Sequence, residues 1–259
     1  MKRLKGIIIV SMMALSLMAC SGDKAGSRDK TLTVGFDQNF PPMGFVGDDG
    51  ELTGFDLEVA AEVADRLELE LELQPISWDA KDMELSSGNI DCIWNGFTMN
   101  GREDAYTWTE AYMENKQVFV VNADSGIAST EDLTGKTVVV QADSSAEAAL
   151  KDMPELVESF GDYMTAADYN TSLMDLGAKA VDAVAMDVIV ASYQIEKRGD
   201  NFTILEEALA AEEYGVGFLL GDEELRDKVQ TTLEEMAVDG KLAEISEKWF
   251  GSDITIIGK

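Results

Sequence analysis

Two stretches of this chain repeat one pattern. Residues 85–95 read LSSGNIDCIWN and residues 176–186 read LGAKAVDAVAM. Each runs from a leucine through a small or polar turn and a β-branched residue to an aspartate, then into an apolar run. The surrounding sequence continues the alternation. TLTVGF (31–36), residues 118–121, 137–141 and 214–219 are strand-like. LELELQPISW is strand-like but interrupted at Pro75. Leu57, Ala60, Ala64 and Leu67 recur at helical spacing behind Asp56, a candidate N-cap, and AKDMELSSG reads as a short helix closed by Gly88. Leu225, Val229, Leu233 and Met236 mark a further amphipathic helix stopped by Gly240. Strands alternating with helices predict an α/β chain with a mostly parallel sheet. The echo is either a chance likeness of two βα units or the mark of two lobes of similar build. In open α/β sheets ligands bind beyond the carboxyl ends of strands, and the two echoing strands end near Gly96 and Asp187.

At 259 residues the chain can bury a sizeable core. Its formal net charge of −30 leaves no basic footprint for phosphates, which argues against nucleic acid as a partner. It contains no histidine. That excludes a Ser-His-Asp triad, a Cys-His pair and most catalytic zinc sites; no metal and no cofactor is expected. Cys92 lies in an apolar run and reads as a small core residue.

The N-terminus reads as an address. Lys2, Arg3 and Lys5 precede an apolar stretch, residues 6–19, which is short for a bilayer span. It ends in Leu17-Met18-Ala19-Cys20, which resembles a bacterial lipobox with cleavage before a lipidated Cys20; an ordinary secretory signal with a chance cysteine is the alternative. Residues 1–19 are then a signal peptide and 20–30 a lipidated cysteine with a polar tether.

Several residues at strand ends carry chemistry. Arg102, just past the run 92–94, offers a planar fork for a carboxylate, although Glu103 or Asp104 could occupy it as a surface pair. Asp187 would attract an ammonium, or cap a helix. Thr98 and the backbone at Gly96 add hydrogen-bonding groups. Ser144 and Ser145, in DSSAE ahead of a helix, supply hydroxyls and N-terminal amides suited to an anion, or simply a cap. Phe40 and Trp78, in loops after the first two strands, could hold a side chain between flat faces or belong to the core.

GFDLEVAAEVADRL (54–67) resembles the signature of family 3 extracellular solute-binding proteins, the polar amino-acid receptors of ABC importers, and the likeness extends over roughly residues 31–250. FDQNFPPMGF resembles that family's first binding loop, with Asp37 and Phe40 facing the ligand. WDAKDMELSSGNID places Trp78 as a second aromatic wall. NGFTMNGRED, with Asn95 and Gly96, ends in the carboxylate-binding arginine, here Arg102. Its loop is one residue shorter than the common form. VQADSSAEAAL resembles the second-lobe anion loop, one residue longer than usual, which leaves open whether Ser144 or Ser145 faces the ligand. DAVAMD ends on the ammonium-binding aspartate, here Asp187.

The resemblance implies a type 2 periplasmic-binding fold, two α/β lobes joined by two crossing strands near 117–122 and 214–219. Lobe 1 would comprise 31–121 and 215–259, and lobe 2 residues 122–214. It implies a monomeric, non-enzymatic receptor in the cell envelope, lipid-anchored to the outer face of the cytoplasmic membrane or periplasmic, that hands a free amino acid to an ABC permease and its ATPase. Asp37, where the family reads the side-chain tip, favours arginine, lysine or histidine. Glutamine or cystine would also satisfy it. A dehydratase-like enzyme, with Asp37 as its acid, and an adhesin or sensor on the same fold are the other classes.

Overall fold

The structure, a computed structural model, describes residues 30–199 and 201–259. The expected signal peptide, the lipobox-like stretch and Cys20 lie outside the described residues. The chain opens with β1 (Thr31–Phe36), three short strands β2 (Asn39–Phe40), β3 (Gly44–Val46) and β4 (Leu52–Thr53), then α1 (Phe55–Arg66), β5 (Glu70–Pro75), a 3-10 turn at Trp78–Ala80, α2 (Lys81–Ser87), β6 (Cys92–Thr98) and β7 (Thr107–Trp108). After β8 (Met113–Asn122) come β9 (Thr137–Gln141), α3 (Ser145–Lys151), α4 (Pro154–Ser159), β10 (Asp162–Ala166), α5 (Tyr169–Gly177), β11 (Ala183–Asp187), α6 (Val188–Arg198) and β12 (Phe202–Ile204). The chain returns through β13 (Ala210–Phe218) and closes with α7 (Glu223–Asp239) and α8 (Lys241–Phe250).

Among the described residues ten strands form one sheet, with the path β10-β9-β11-β8-β13-β6-β1-β5 and with β12 on β8 and β7 on β13. It is mixed rather than mostly parallel. β5, β1 and β6 run parallel in one half, and β10, β9 and β11 in the other. β8 and β13 run against their neighbours because they carry the chain between the halves. Met113 to Gln117 of β8 pairs with 210–214 of β13. Beyond that ladder β8 continues beside β11, and β13 continues beside β6.

The echo has a mechanical meaning. Asp91 accepts from the Thr33 amide at 2.7 Å, and its own amide donates to the Thr33 carbonyl at 2.8 Å. Asp182 does the same to Thr137, both at 2.9 Å. Each aspartate clamps the start of the neighbouring parallel strand, so each half-sheet is set in register by the same device. β6, flanked by strands and covered on both faces, is buried at every position. β5 lies at the edge and ends on Pro75, where a missing amide costs no ladder bond.

Asp56 is not the N-cap of α1. Gly54 holds that position, at φ 145, where a Cβ would lie 2.2 Å from the Met43 carbonyl oxygen. Asp56 is fully buried in the first turn and faces the end of β6. At the far end, Gly240 stops α7 as its spacing predicts, but the chain turns there at φ 86 and starts α8. α8 buries Leu242 and Ile245 and stacks Phe250 on Phe55 at 5.1 Å.

Candidate functional site

Two residues before its end, β6 carries no side chain at Gly96. Gly96 sits at φ 55, and a Cβ there would meet the rings of Phe40 and Tyr214 at 3.1 Å. Its bare backbone forms a floor. Asp56 holds that floor, since its Oδ2 accepts the Gly96 amide at 2.6 Å and the Tyr112 hydroxyl at 3.0 Å. Burial pushes the Asp56 carboxyl up to about 7, against the lowering effect of the Gly96 amide, the Tyr112 hydroxyl and the Trp94 indole.

Past Thr98 the chain makes a turn, with the Arg102 amide donating to the Met99 carbonyl at 2.9 Å. Among the described residues Arg102 makes no ion pair, with Glu103, Asp104 or any other acid. Its guanidinium lies 5.3 Å from the Phe97 ring centroid and donates to two carbonyls, that of Thr98 at 3.1 Å and that of Asp143 at 3.4 Å. Backbone contacts orient the fork and leave its charge uncompensated.

The opposite wall comes from the other half. Asp187 ends β11 and occupies the N-cap position of α6, yet its side chain makes no cap. Its Oδ1 accepts instead from Asn115 and Gln117 of β8, each at 2.8 Å, and from the Tyr214 hydroxyl of β13 at 2.6 Å. Burial, then the Glu212 charge, pushes the Asp187 carboxyl well above the usual range. Ser144 caps α3, accepting the Glu147 amide at 3.1 Å. The Ser145 hydroxyl accepts from Gln117 at 2.9 Å and from Thr98 at 3.1 Å, which joins the two walls.

Asp37 lies just past β1. Its amide donates to Asn95 Oδ1, and its carboxylate accepts the Asn39 amide and Gln141 Nε2, each at 2.8 Å. Burial raises its pKa, opposed by those two donors and reinforced by the Asp168 charge. Phe40 packs on Tyr169 at 5.9 Å and Trp78 edge-on to Phe97 at 5.5 Å.

All ten residues singled out beyond the N-terminus line one small cavity, together with Gln141. Both serines line it. An outer cleft shares Asp37 and Trp78 with this cavity and is lined further by Asp79 and Asp168. The mouth is crossed by Lys81. It is 2% exposed, ion-pairs with Asp143 of the facing half and lies 5.3 Å from the Trp78 centroid. The sequence reading missed Gln141, Lys81, Asn115, Gln117 and Glu212. A polar residue ending the apolar run TVVVQ was a usable signal for Gln141, whereas Asn115 and Glu212 sit on strand segments that carry no apolar run. Among the described residues no cluster of acids or cysteines is placed to hold a metal ion, and no helix is long and apolar enough to cross a membrane.

Residues 32–252 match the family described as bacterial extracellular solute-binding proteins, family 3. The chain is 33% identical over 259 residues to the L-cystine-binding protein TcyJ of Escherichia coli strain K12, an alignment covering 97% of this chain and 96% of that one. It superposes with a TM-score of 0.85 at 35% identity on an ABC uptake transporter substrate-binding protein from Streptococcus pneumoniae with bound histidine, over 91% of this chain and 99% of that one. Tv2483 bound to L-arginine gives the same TM-score at 27% identity, over 91% and 97%. These neighbours have the type 2 periplasmic-binding fold, and the relatives are solute-binding proteins, not enzymes. The chain, with two α/β halves joined by crossing strands around one small polar cavity, belongs to the bacterial extracellular solute-binding proteins of family 3.

Proposed function

We propose that the protein is the extracytoplasmic receptor of an ABC importer for a free L-amino acid with a cationic side chain. One observation carries this reading: an uncompensated guanidinium and a buried carboxylate face one cavity from opposite halves of the fold. A zwitterion satisfies both. Arg102 takes its carboxylate in charge-assisted bonds, Asp187 takes its ammonium, and the backbone at Gly96 with Thr98 and Ser145 completes the polar shell. Such a ligand binds the closed arrangement better than an open one, and that difference drives closure. The side chain would run between Phe40 and Trp78 to Asp37, whose buried carboxylate gains most from a positive tip. The histidine- and arginine-bound neighbours support this choice.

L-cystine is the second reading, favoured by the cystine-binding relative and by the outer cleft, where Asp168 and Asp79 would meet a second ammonium. In either case lobe 1 would comprise 31–121 with 215–259 and lobe 2 residues 122–214. A monomer would be tethered through a lipidated Cys20 and present its closed form to a permease and its ATPase.

Titration calorimetry of residues 22–259, freed of ligand by unfolding and refolding, tests the reading against the common amino acids, ornithine and cystine. Arg102→Ala leaves the ligand carboxylate unpaired and should weaken binding by at least about thirtyfold, since breaking such a pair costs about 2–5 kcal/mol. Asp37→Asn should weaken cationic ligands more than neutral ones. Near-normal affinity in Arg102→Ala would overturn the site, and equal losses in Asp37→Asn would overturn the cationic preference.

A further inference from the structure

Beneath the cavity two acids share one set of donors. Asn115 Nδ2 lies 2.8 Å from Asp187 Oδ1 and 2.5 Å from Glu212 Oε1. Gln117 Nε2 lies 2.8 Å and 2.7 Å from the same two atoms. The two hydrogens of Gln117 Nε2 are shared among Asp187, Glu212 and the Ser145 hydroxyl, so the two acids outnumber the donors left for them. Asp187 is 3% exposed and Glu212 5%. Glu212 belongs to the ladder that joins the two halves of the fold, and its backbone pairs with Asn115. Among the described residues neither acid has an ion-pair partner.

Lys116, exposed on β8, shares a surface pocket with Asn115 and Glu212, but among the described residues no cation ion-pairs with either acid. Tyr214 on β13, Tyr169 on α5 and Tyr112 ahead of β8 are buried phenols, each pushed up by burial and so neutral. Asp37 across the cavity and Asp56 behind Tyr112 are further acids. Glu114 and Lys116 on β8 and Glu213 on β13 alternate with the buried positions and are exposed. Arg102 lines the cavity from the opposite half, tied to backbone carbonyls. Burial, and then the Glu212 charge beside it, disfavour the ionised form of Asp187.

We propose that Glu212 is a positioning residue that links ligand capture to proton release: Asp187, held beside Glu212 by shared donors, keeps a proton while the cleft is empty, and that proton passes to solvent when the ligand's ammonium enters beside Asp187. The oxygen–hydrogen bond breaks, the carboxylate keeps the electron pair, and the ammonium takes over the proton's electrostatic role. This rests on the reading of the cavity as an amino-acid site. It gives the receptor tighter binding as pH rises toward neutrality and looser binding in acid.

The test is calorimetry on residues 22–259, which retain the whole described fold, titrated with L-arginine, L-histidine and L-cystine in phosphate and in Tris from about pH 5.5 to about pH 8. The difference in apparent enthalpy between the buffers counts the protons exchanged. The unmodified protein should release up to about one proton per ligand and gain up to about tenfold in affinity per pH unit where Asp187 titrates. Glu212→Gln removes the neighbouring charge, so the release should shrink and the pH profile move to lower pH. Glu212→Asp should keep the release, which separates the acid's role from loss of packing and serves if the glutamine variant does not fold. Asp37→Asn should also keep it, which excludes Asp37 as the source. Binding without proton exchange overturns the inference alone, as does a Glu212→Gln profile identical to the unmodified one. No binding of any of the three ligands, nor of the other amino acids, overturns the receptor reading and this inference together.

Discussion

Asp56→Asn isolates one buried charge. The replacement has the same shape, and its side-chain oxygen can keep accepting from the Gly96 amide and the Tyr112 hydroxyl at the 2.6 Å and 3.0 Å that Asp56 holds. The titration is removed and a buried amide NH2 replaces Oδ1, a change that shifts stability equally at every pH, so the pH dependence isolates the charge. Burial raises Asp56 from an ordinary 3.8 to about 7 in the folded protein. A raised acid binds a proton in the folded state that the unfolded chain has already lost. Its stabilising contribution is therefore fully present below pH 3.8 and is lost as pH climbs through about 7. From about pH 5 to about pH 8 the group traverses roughly two units of that window, and at about 1.4 kcal/mol per unit the loss is about 3 kcal/mol. The asparagine variant escapes it. Urea unfolding of both proteins at the two pH values should show the variant gaining about 3 kcal/mol on the parent, with unchanged m. In thermal melts that is a relative rise of roughly 6–12 °C for a chain of this size. A stability difference constant with pH to within about 0.5 kcal/mol, which is the coupling expected of an ordinary surface acid, would refute the buried-charge account.

Lys81→Met keeps the side chain's packing on Trp78 and deletes its ion pair with Asp143 across the cleft mouth. Because Asp143 is 52% exposed, the pair is worth about 1 kcal/mol, so ligand should leave about fivefold faster in stopped-flow release. An unchanged release rate would mean the pair does not hold the closed form. Asp91→Ala and Asp182→Ala each strip an acceptor from a strand amide. Each should cost about 1 kcal/mol, or about 2–4 °C in melting temperature. A large loss in only one of the two would show that the clamps are not equivalent.

Much of the fold was legible because its rules are local. β1, β6 and β9 announce themselves as short apolar runs, α7 as an apolar stripe ending in Gly240, and the paired clamps as aspartates standing one residue before their strands. Eight of the ten cavity residues were legible for a related reason, while Asp37 and Asn95 came only from the family resemblance. Strand ends in α/β units converge, so charged and aromatic residues placed just past them meet. One misreading and one omission have equally physical causes. Asp56 stands where an N-cap would, but Gly54 takes that position and the aspartate is drawn to the unpaired amide of Gly96. Gly240 ends one helix and, at positive φ, also begins the next.

The sequence by itself determined the alternating α/β architecture, the doubled βα unit, and the placing of Asp37, Arg102 and Asp187 at strand ends, since each depends on spacing within about ten residues. Tertiary structure alone decided what those residues face. Glu212 meets Asn115 across 97 positions, Gln117 meets Asp187 across 70, and Lys81 meets Asp143 across 62. No local period encodes such pairs. They exist because β8 and β13 cross in one particular register, and a one-residue slip would turn every one of their side chains to the opposite face of the sheet.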